Sequence, residues 1–470
     1  MINNKKAALA TLKFLTLPII IGVFTENPIL TVLCCLVLPL AFYLLWTPLE
    51  PPVLLFAVFY HWVQIITPII NANIYGEKIN KFEGIPEMEY AEYLCIIGLI
   101  FFSFGLFYGR GKINSDYYQS VYDKIELISP RSSLKIYAII FLLSIFLISV
   151  MWVQPGLTQL ILPLITLHDA FFILIILMAI HDERFKKLAY ILSILELMYG
   201  FLGFFSNFKT IFFYWIILLA TNQKNLKKFI NIKFIILVSC LFIFGLIWQT
   251  IKSEYRVFMS GNIESQIVVV SIQDRVVYLI NAIDKINLID IIAPGIESLS
   301  SRVGATEYVA HTINMVPDKI PFQNGKLWLE AISRVFTPRL FFPDKKLADD
   351  SEITRTYTGL DVAGAEEGTS IGIGYFAESY IDFGPVFMFI PIFLIGYIWA
   401  KSFRILFLRS RYPLLSLAIA ISFIVPAATL VETSNIKLFG GIISYLLVII
   451  PTMNIICFYT WKKLVNRSKY

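Results

Sequence analysis

The feature that most constrains this chain is a recurrence: apolar runs close to the ~20 residues that a helix needs to cross a bilayer return along almost its whole length. In hydrocarbon every backbone N–H and C=O must be bonded inside the crossing element, which leaves helices or closed barrels. The runs are continuously apolar and do not alternate, so a β-barrel is excluded. Of 470 residues, 57% are hydrophobic and 15% charged. Soluble domains carry about 25% charged residues. Mean hydropathy is +0.73. The chain reads as an all-α polytopic membrane protein.

Candidate spans fall at about 7–24, 29–46, 52–71, 91–108, 135–153, 160–180, 188–205, 208–221, 233–251, 384–400, 413–431 and 439–461, about twelve in all. Trp46, Trp152, Trp248, Trp399 and Trp461 fall near predicted ends, where interfacial indoles belong. With the N-terminus in the cytoplasm, the connections 110–135, 181–187, 224–233 and 401–411 and the tail 462–469 lie on the same side. Each carries several Lys or Arg. The opposite connections 25–28, 154–158, 206–209 and 432–437 are poor in them, and 73–90 has more acids than bases. An excess of Lys and Arg marks the cytoplasmic side. Both termini are therefore expected in the cytoplasm, and 252–370 outside it. The expected organisation is an N-terminal bundle (1–251), a long extracytoplasmic helical loop (252–383) and a C-terminal group of about three spans (384–470).

The net charge of +6 follows from those basic connections and requires no nucleic-acid partner. All five cysteines fall inside apolar runs, and no disulfide or zinc spacing is present. The basic start, Met1 to Lys6, leads into an apolar stretch without a small-residue cleavage site, and is expected to be a retained first helix. A nucleotide-phosphate loop (Gly-x-x-x-x-Gly-Lys-Ser/Thr) and the His-Glu-x-x-His metal pattern are both missing. No metal or cofactor is expected.

Function is to be sought in 252–370, the only long polar stretch, which holds Arg256, Arg275, Arg302, Arg334, Arg339 and Arg355. The pattern predicts helices over 267–287, 296–316 (stopped by Pro317) and 325–336. In the second, Val309, Ile313 and Val316 form an apolar stripe with Arg302 at its N-terminal end. Arg302 is either turned inward towards a bound anion or snorkels at a helix end. Glu307 and His311, at i,i+4, are either a carboxylate orienting an imidazole base or a solvated pair. Arg334 points away from an apolar face and is either free for a ligand or solvated. Two prolines forbid a helix over 337–346, leaving aromatics flanked by Arg339, Lys345 and Lys346. The Thr-, Ser- and Gly-rich stretch 351–374 reads as a substrate lid or a flexible connection. Glu378 and Asp382, at i,i+4 near the membrane boundary, should raise one another's pKa, as a general base requires, or are interfacial acids without a role. Inside the spans, Glu196 and His168-Asp169 are costly enough to be functional candidates, with buried structural pairing as the alternative. Lys209 breaks the pattern at the outer face, where it could meet a phosphate or snorkel to solvent.

Several segments together resemble the Wzy-type oligosaccharide repeat unit polymerases, the O-antigen and exopolysaccharide polymerases. They are Gln249-Thr-Ile-Lys-Ser-Glu-Tyr-Arg256, Arg302-Val-Gly304, Pro321-Phe-Gln-Asn-Gly325 and Pro338-Arg-Leu-Phe-Phe-Pro-Asp-Lys345. Ser370-Ile-Gly-Ile-Gly374, Glu378-Ser-Tyr380 and Phe383-Gly384 complete the set. The motifs cover roughly 249–384, and Lys346 departs from the Pro-Asp-Lys-Pro pattern. The resemblance implies a fold akin to lipid-dependent membrane glycosyltransferases and a bacterial inner-membrane location. It implies an undecaprenyl-pyrophosphate-linked oligosaccharide as substrate, in contact with membrane lipids, with a flippase and a chain-length regulator as further partners. It carries a pyrophosphate-holding role over to Lys252, Arg256, Arg302, Arg339 and Lys345, with Lys209 beside them. Glu378, or else Asp382 or His311, is the expected base. A glycan ligase using the same donor and a transporter or flippase of lipid-linked sugars are the alternatives.

Overall fold

The computed structural model of the protein describes residues 2–202, 208–221, 232–261, 268–287, 291, 295, 306–337, 342, 349–364 and 370–465. It is helical. Among the described residues there is no strand, only an isolated bridge between Ile128 and Val465. The first half contains α1 (Ile2–Val23), α2 (Pro28–Leu45), α3 (Val53–Ile74), a short α4 (Ile79–Glu83), α5 (Met88–Arg110), α6 (Ser115–Tyr122) and α7 (Pro130–Val153). It continues with α8 (Thr158–Ile165), α9 (Leu167–His181), α10 (Lys186–Leu202), α11 (Phe208–Thr221) and α12 (Ile232–Met259). The polar region holds α13 (Ile272–Asp284), α14 (Thr306–Met315), α15 (Lys326–Val335), α16 (Asp350–Thr358) and α17 (Gly374–Phe387). Then come α18 (Phe389–Arg409), α19 (Pro413–Ala428) and α20 (Asn435–Leu464).

Nine helical segments among the described residues are long and apolar enough to cross a bilayer: α1, α2, α3, α5, α7, α8 and α9 taken together, α12, α18 and α20. Two more, α11 and α19, are apolar but shorter, at 14 and 16 residues. The protein is thus an α-helical, multi-pass membrane protein. Three expectations need adjusting. The span expected over 233–251 continues as helix to Met259, because Lys252 to Met259 lose hydropathy but keep good helix formers. The span expected from 384 begins at Phe389, because Gly384, at φ +67° before Pro385, breaks the backbone first. The stretch from 351, read as lid or connection, opens with a helix. Asp349 Oδ1 caps it by accepting the N–H groups of Ser351 (3.0 Å) and Glu352 (3.4 Å), and Gly359 at φ +71° closes it. Its many threonines hid that helix from a propensity reading.

The two halves of the chain meet along a glycine seam between α5 and α18. A Cβ at Gly105 would collide with the Phe393 carbonyl oxygen, and one at Gly109 with that of Tyr397. From the other side, a Cβ at Gly396 would collide with the Phe102 carbonyl oxygen. Small residues one turn apart let helix backbones touch, which is how helices associate where lipid is as apolar as the side chains. One apolar core runs from α2, α3 and α5 through α9, α14 and α17 to α20. A satellite cluster of Phe208, Phe212, Trp248, Tyr255 and Leu279 joins α11, α12 and α13.

Polar contacts sort the connections between two ends of the bundle. At one end, Arg110 bonds the Leu45 carbonyl and lies 3.4 Å from Glu50 Oε2, Arg184 bonds the Glu126 carbonyl (3.2 Å), and Ser129 N–H meets the Leu464 carbonyl (3.1 Å). At the other end, Asn27 Nδ2 donates to Asn73 Oδ1 (2.8 Å) and to the Glu77 carbonyl (2.9 Å), and Thr306 donates to Glu92 (2.7 Å). The helices α14 to α17 share this second end with 24–27, 75–87 and 429–434, the base-poor connections.

Overpacking a tight helix contact costs about 1–3 kcal/mol. Gly105→Val is accordingly expected to destabilise the protein by about that much and to lower its Tm in detergent. Wild-type stability in this variant would show that the seam carries no load.

Candidate functional site

The site is built where α17 docks against the connection between α19 and α20. Gly372 and Gly374 permit it: a Cβ on Gly372 would run into the Glu432 carbonyl oxygen, and one on Gly374 would sit 2.7 Å from that of Val431. Gly374 also has φ +83°, open to glycine alone at low cost. From below, the Tyr375 hydroxyl bonds His61 Nε2 on α3, whose Nδ1 is engaged by the Ala57 carbonyl at 2.8 Å. The first turn of α17 is thereby fixed, and Glu378 follows one turn later.

Glu378 is 2% exposed. Its Oε2 accepts the N–H of Asn435, the first residue of α20, at 3.1 Å, while Oε1 has no partner among the described residues. Burial pushes its pKa up to about 8. The Asn435 N–H opposes that rise, the nearby carboxylates of Asp350 and Asp382 reinforce it, and the Asn435 side-chain amide, close by but outside hydrogen-bonding geometry, opposes it weakly. Near neutral pH the group therefore keeps its proton in a large share of molecules, the condition of a general acid or base poised to exchange one.

Around it lie polar groups from three elements. Asp350, 2% exposed at the start of α16, takes the Lys437 ammonium on Oδ2 at 2.7 Å, and its Oδ1 has no partner among the described residues. Lys437 also reaches Ser370 Oγ at 2.8 Å. Asn435 is fully buried, and neither its Oδ1 nor its Nδ2 is partnered among the described residues. Ser351 Oγ accepts the Ile371 N–H (2.9 Å) and Thr354 donates to the Ile371 carbonyl (2.7 Å), lacing α16 to the segment before α17. Each orphaned buried polar atom costs about 1–3 kcal/mol. Four of them at one junction is an arrangement that a fold shaped for stability alone would avoid.

The other predicted residues divide. Asp382 uses both oxygens to cap α15, accepting the N–H groups of Leu327 (3.1 Å) and Trp328 (2.8 Å). Burial raises its pKa and those N–H groups hold it back. His311 lies 3.9 Å from Glu307 in a partly exposed i,i+4 pair, and Arg334 lies 3.0 Å from Glu330 in another. Lys252 is buried and Arg256 half-buried, one turn apart on α12 at the satellite cluster. Lys209 lies at the start of α11 beside that cluster. It faces Glu432, whose pKa burial raises and the Lys209 ammonium lowers. Arg302, Arg339 and Lys345 lie outside the described residues. Deeper in the bundle, Glu196 and His168 are brought together: His168 Nε2 lies 2.7 Å from Glu196 Oε1, which also accepts the Tyr137 hydroxyl. Asp169 is half-buried beside them on α9.

Sequence reasoning passed over Asp350, Asn435 and Lys437, and also Glu92, which is fully buried and bound by Thr306. Glu92 carried a usable signal, a carboxylate inside an apolar run. The other three sit in polar stretches where nothing sets them apart.

Residues 86–403 match the family described as Domain of unknown function (DUF8712), more than half of the chain. The protein belongs to the DUF8712 family. No curated protein and no solved structure matches the chain. The DUF8712 region begins just before α5 and ends within α18, so the two helices of the glycine seam are its first and last spans. It contains Asp350, Glu378 and Asp382, whereas Asn435 and Lys437 follow it.

Two outcomes are expected. The folded pKa of Glu378, about 8, lies above its usual 4.5, so between those values the folded state holds a proton that the unfolded chain has released. Stability should then fall as pH rises through that window, by up to about 1.4 kcal/mol per unit, and level off above it. Glu378→Gln should flatten that slope, read as Tm against pH in detergent. Asp382→Ala should cost about 2–4 kcal/mol, because it leaves the buried N–H groups of Leu327 and Trp328 unmet, and Asp382→Asn, which keeps one accepting oxygen, should recover part of it, both read as Tm in detergent.

Proposed function

We propose that this DUF8712 protein is a glycosyltransferase that polymerises lipid-linked oligosaccharide repeat units at the outer face of a bacterial inner membrane. The observation that carries the reading is Glu378, a buried carboxylate with one unspent oxygen and a pKa near 8. It stands at the same end of the bundle as the described helices α15 and α16, which carry Arg334 and Arg355. In this reading α10, α11 and α19 cross the membrane as well, giving twelve spans. The basic connections and both termini then lie in the cytoplasm, as the charge asymmetry favours.

The growing chain on undecaprenyl pyrophosphate is the donor and a hydroxyl of the incoming unit the acceptor. The acceptor oxygen bonds to the anomeric carbon as the bond from that carbon to the pyrophosphate oxygen breaks. Glu378 takes the hydroxyl proton. Charge growing on the leaving pyrophosphate is met by Lys252 and Arg256, with Lys209 at the neighbouring helix start. Arg302, Arg339 and Lys345, assigned from their motifs, complete that basic set. Preorganised cations of this kind act where charge develops in the transition state. Asp382 suits the base less well, since both its oxygens are held by N–H groups, and so does His311, in a partly exposed pair with Glu307. The transporter alternative gains little from the Tyr137, His168 and Glu196 group, which is paired within itself.

The test is lengthening of purified lipid-linked repeat units by the protein alone in liposomes. Glu378→Gln and Arg302→Ala should each slow lengthening by about 100-fold or more while inserting normally. Near-normal chain lengths from either variant would remove that residue from the mechanism. Transfer of finished glycan to another acceptor, without lengthening, would mark a ligase.

A further inference from the structure

We propose that Asp350, Asn435 and Glu378 form a binding pocket for adjacent hydroxyls of a sugar ring. This rests on the proposed reaction only in taking that ring to be the acceptor. The unspent hydrogen-bonding capacity at the junction, among the described residues, is specific: Asp350 Oδ1 accepts, Glu378 Oε1 accepts once the group has given up its proton and donates while it holds it, and the Asn435 amide offers one acceptor and one two-proton donor. A vicinal diol has the complementary set. With Glu378 ionised, as a base must be, the diol's two hydroxyl protons go to the two carboxylates, and one hydroxyl oxygen takes the Asn435 amide proton. That places one hydroxyl on the Glu378 oxygen that the reaction needs free.

The same oxygens suit a cation less well, because the Lys437 ammonium already neutralises Asp350 from 2.7 Å. The fold also sets the direction of entry. Asp350, Asn435 and Glu378 are buried, but Lys437 and Ser370, joined at 2.8 Å, are exposed, and the Lys437 ammonium sits on Asp350. Lys437 therefore closes the pocket on the side of the polar segment, and a ring enters as its ammonium swings off Asp350. Asp350 acts as a hydroxyl acceptor, and Asn435 sets which hydroxyl faces Glu378.

The experiment is thermal unfolding of the purified full-length protein in detergent with methyl glycosides of glucose, galactose, mannose, rhamnose and N-acetylglucosamine. At least one should raise the Tm saturably, and its deoxy analogue lacking one of the paired hydroxyls should not. Asn435→Ala and Asp350→Asn should raise the half-saturating concentration at least tenfold. The double variant Asp350→Lys with Lys437→Asp restores the ion pair, so it should recover the ligand-free Tm but not the glycoside shift. Recovery of both would make Asp350 a strut and overturn the pocket. So would no shift with any glycoside, or a shift produced by NaCl or CaCl2 in their place. Lengthening that persists in Asn435→Ala without a glycoside shift defeats the pocket alone. A glycoside shift in a protein that lengthens nothing defeats the reaction alone.

Discussion

Backbone-to-backbone contact between α5 and α18 is the interaction on which the rest of the arrangement depends. Gly105, Gly109 and Gly396 remove the side chains that would hold these helices apart. In a bilayer there is little hydrophobic gain in moving a leucine from lipid to protein, so close packing must hold helices together. The seam joins residues far apart in the chain, and it also sets the height of what lies at its end. Glu92 sits near the start of α5, and α17 with Glu378 immediately precedes α18. Fixing one helix against the other fixes the floor on which the polar segment rests.

On that floor the protein carries polar groups that it does not satisfy internally. Asp382 shows what satisfaction looks like: a buried carboxylate with both oxygens on helix N–H groups. Glu378, four residues earlier on the same helix, has a single N–H and, among the described residues, one oxygen without a partner. Their different surroundings set two acids of one helix apart, one holding α15 in place and the other buried with a pKa pushed up to about 8. Environment sorts such pairs more than residue type does.

The helices were readable because hydrophobic runs of bilayer length have few competing explanations, and counting Lys and Arg divided the connections into two sets. Glu378 stood out through its spacing from Asp382 and its closeness to a span. Its partners did not. Asn435 is 57 positions away in the chain, and Asp350 stands in a run of polar residues where a helix cap looks like any loop. A local pattern reports on neighbours within a turn or two, whereas this site is assembled from α16, α17 and α20. The i,i+4 pair of Glu307 and His311 shows the reverse case, since its contact lies within one helix and was visible in advance.

One consequence follows from α20. At 30 residues it is about 45 Å long, well beyond the ~30 Å of a hydrocarbon core. Its first residue is pinned by Glu378 and its last by Ser129 at the opposite end of the bundle. The excess length has to be absorbed by tilt or by turns standing clear of the lipid. Bilayer thickness thereby becomes a mechanical input: a thinner membrane leans the rod further and shifts the amide that grips Glu378.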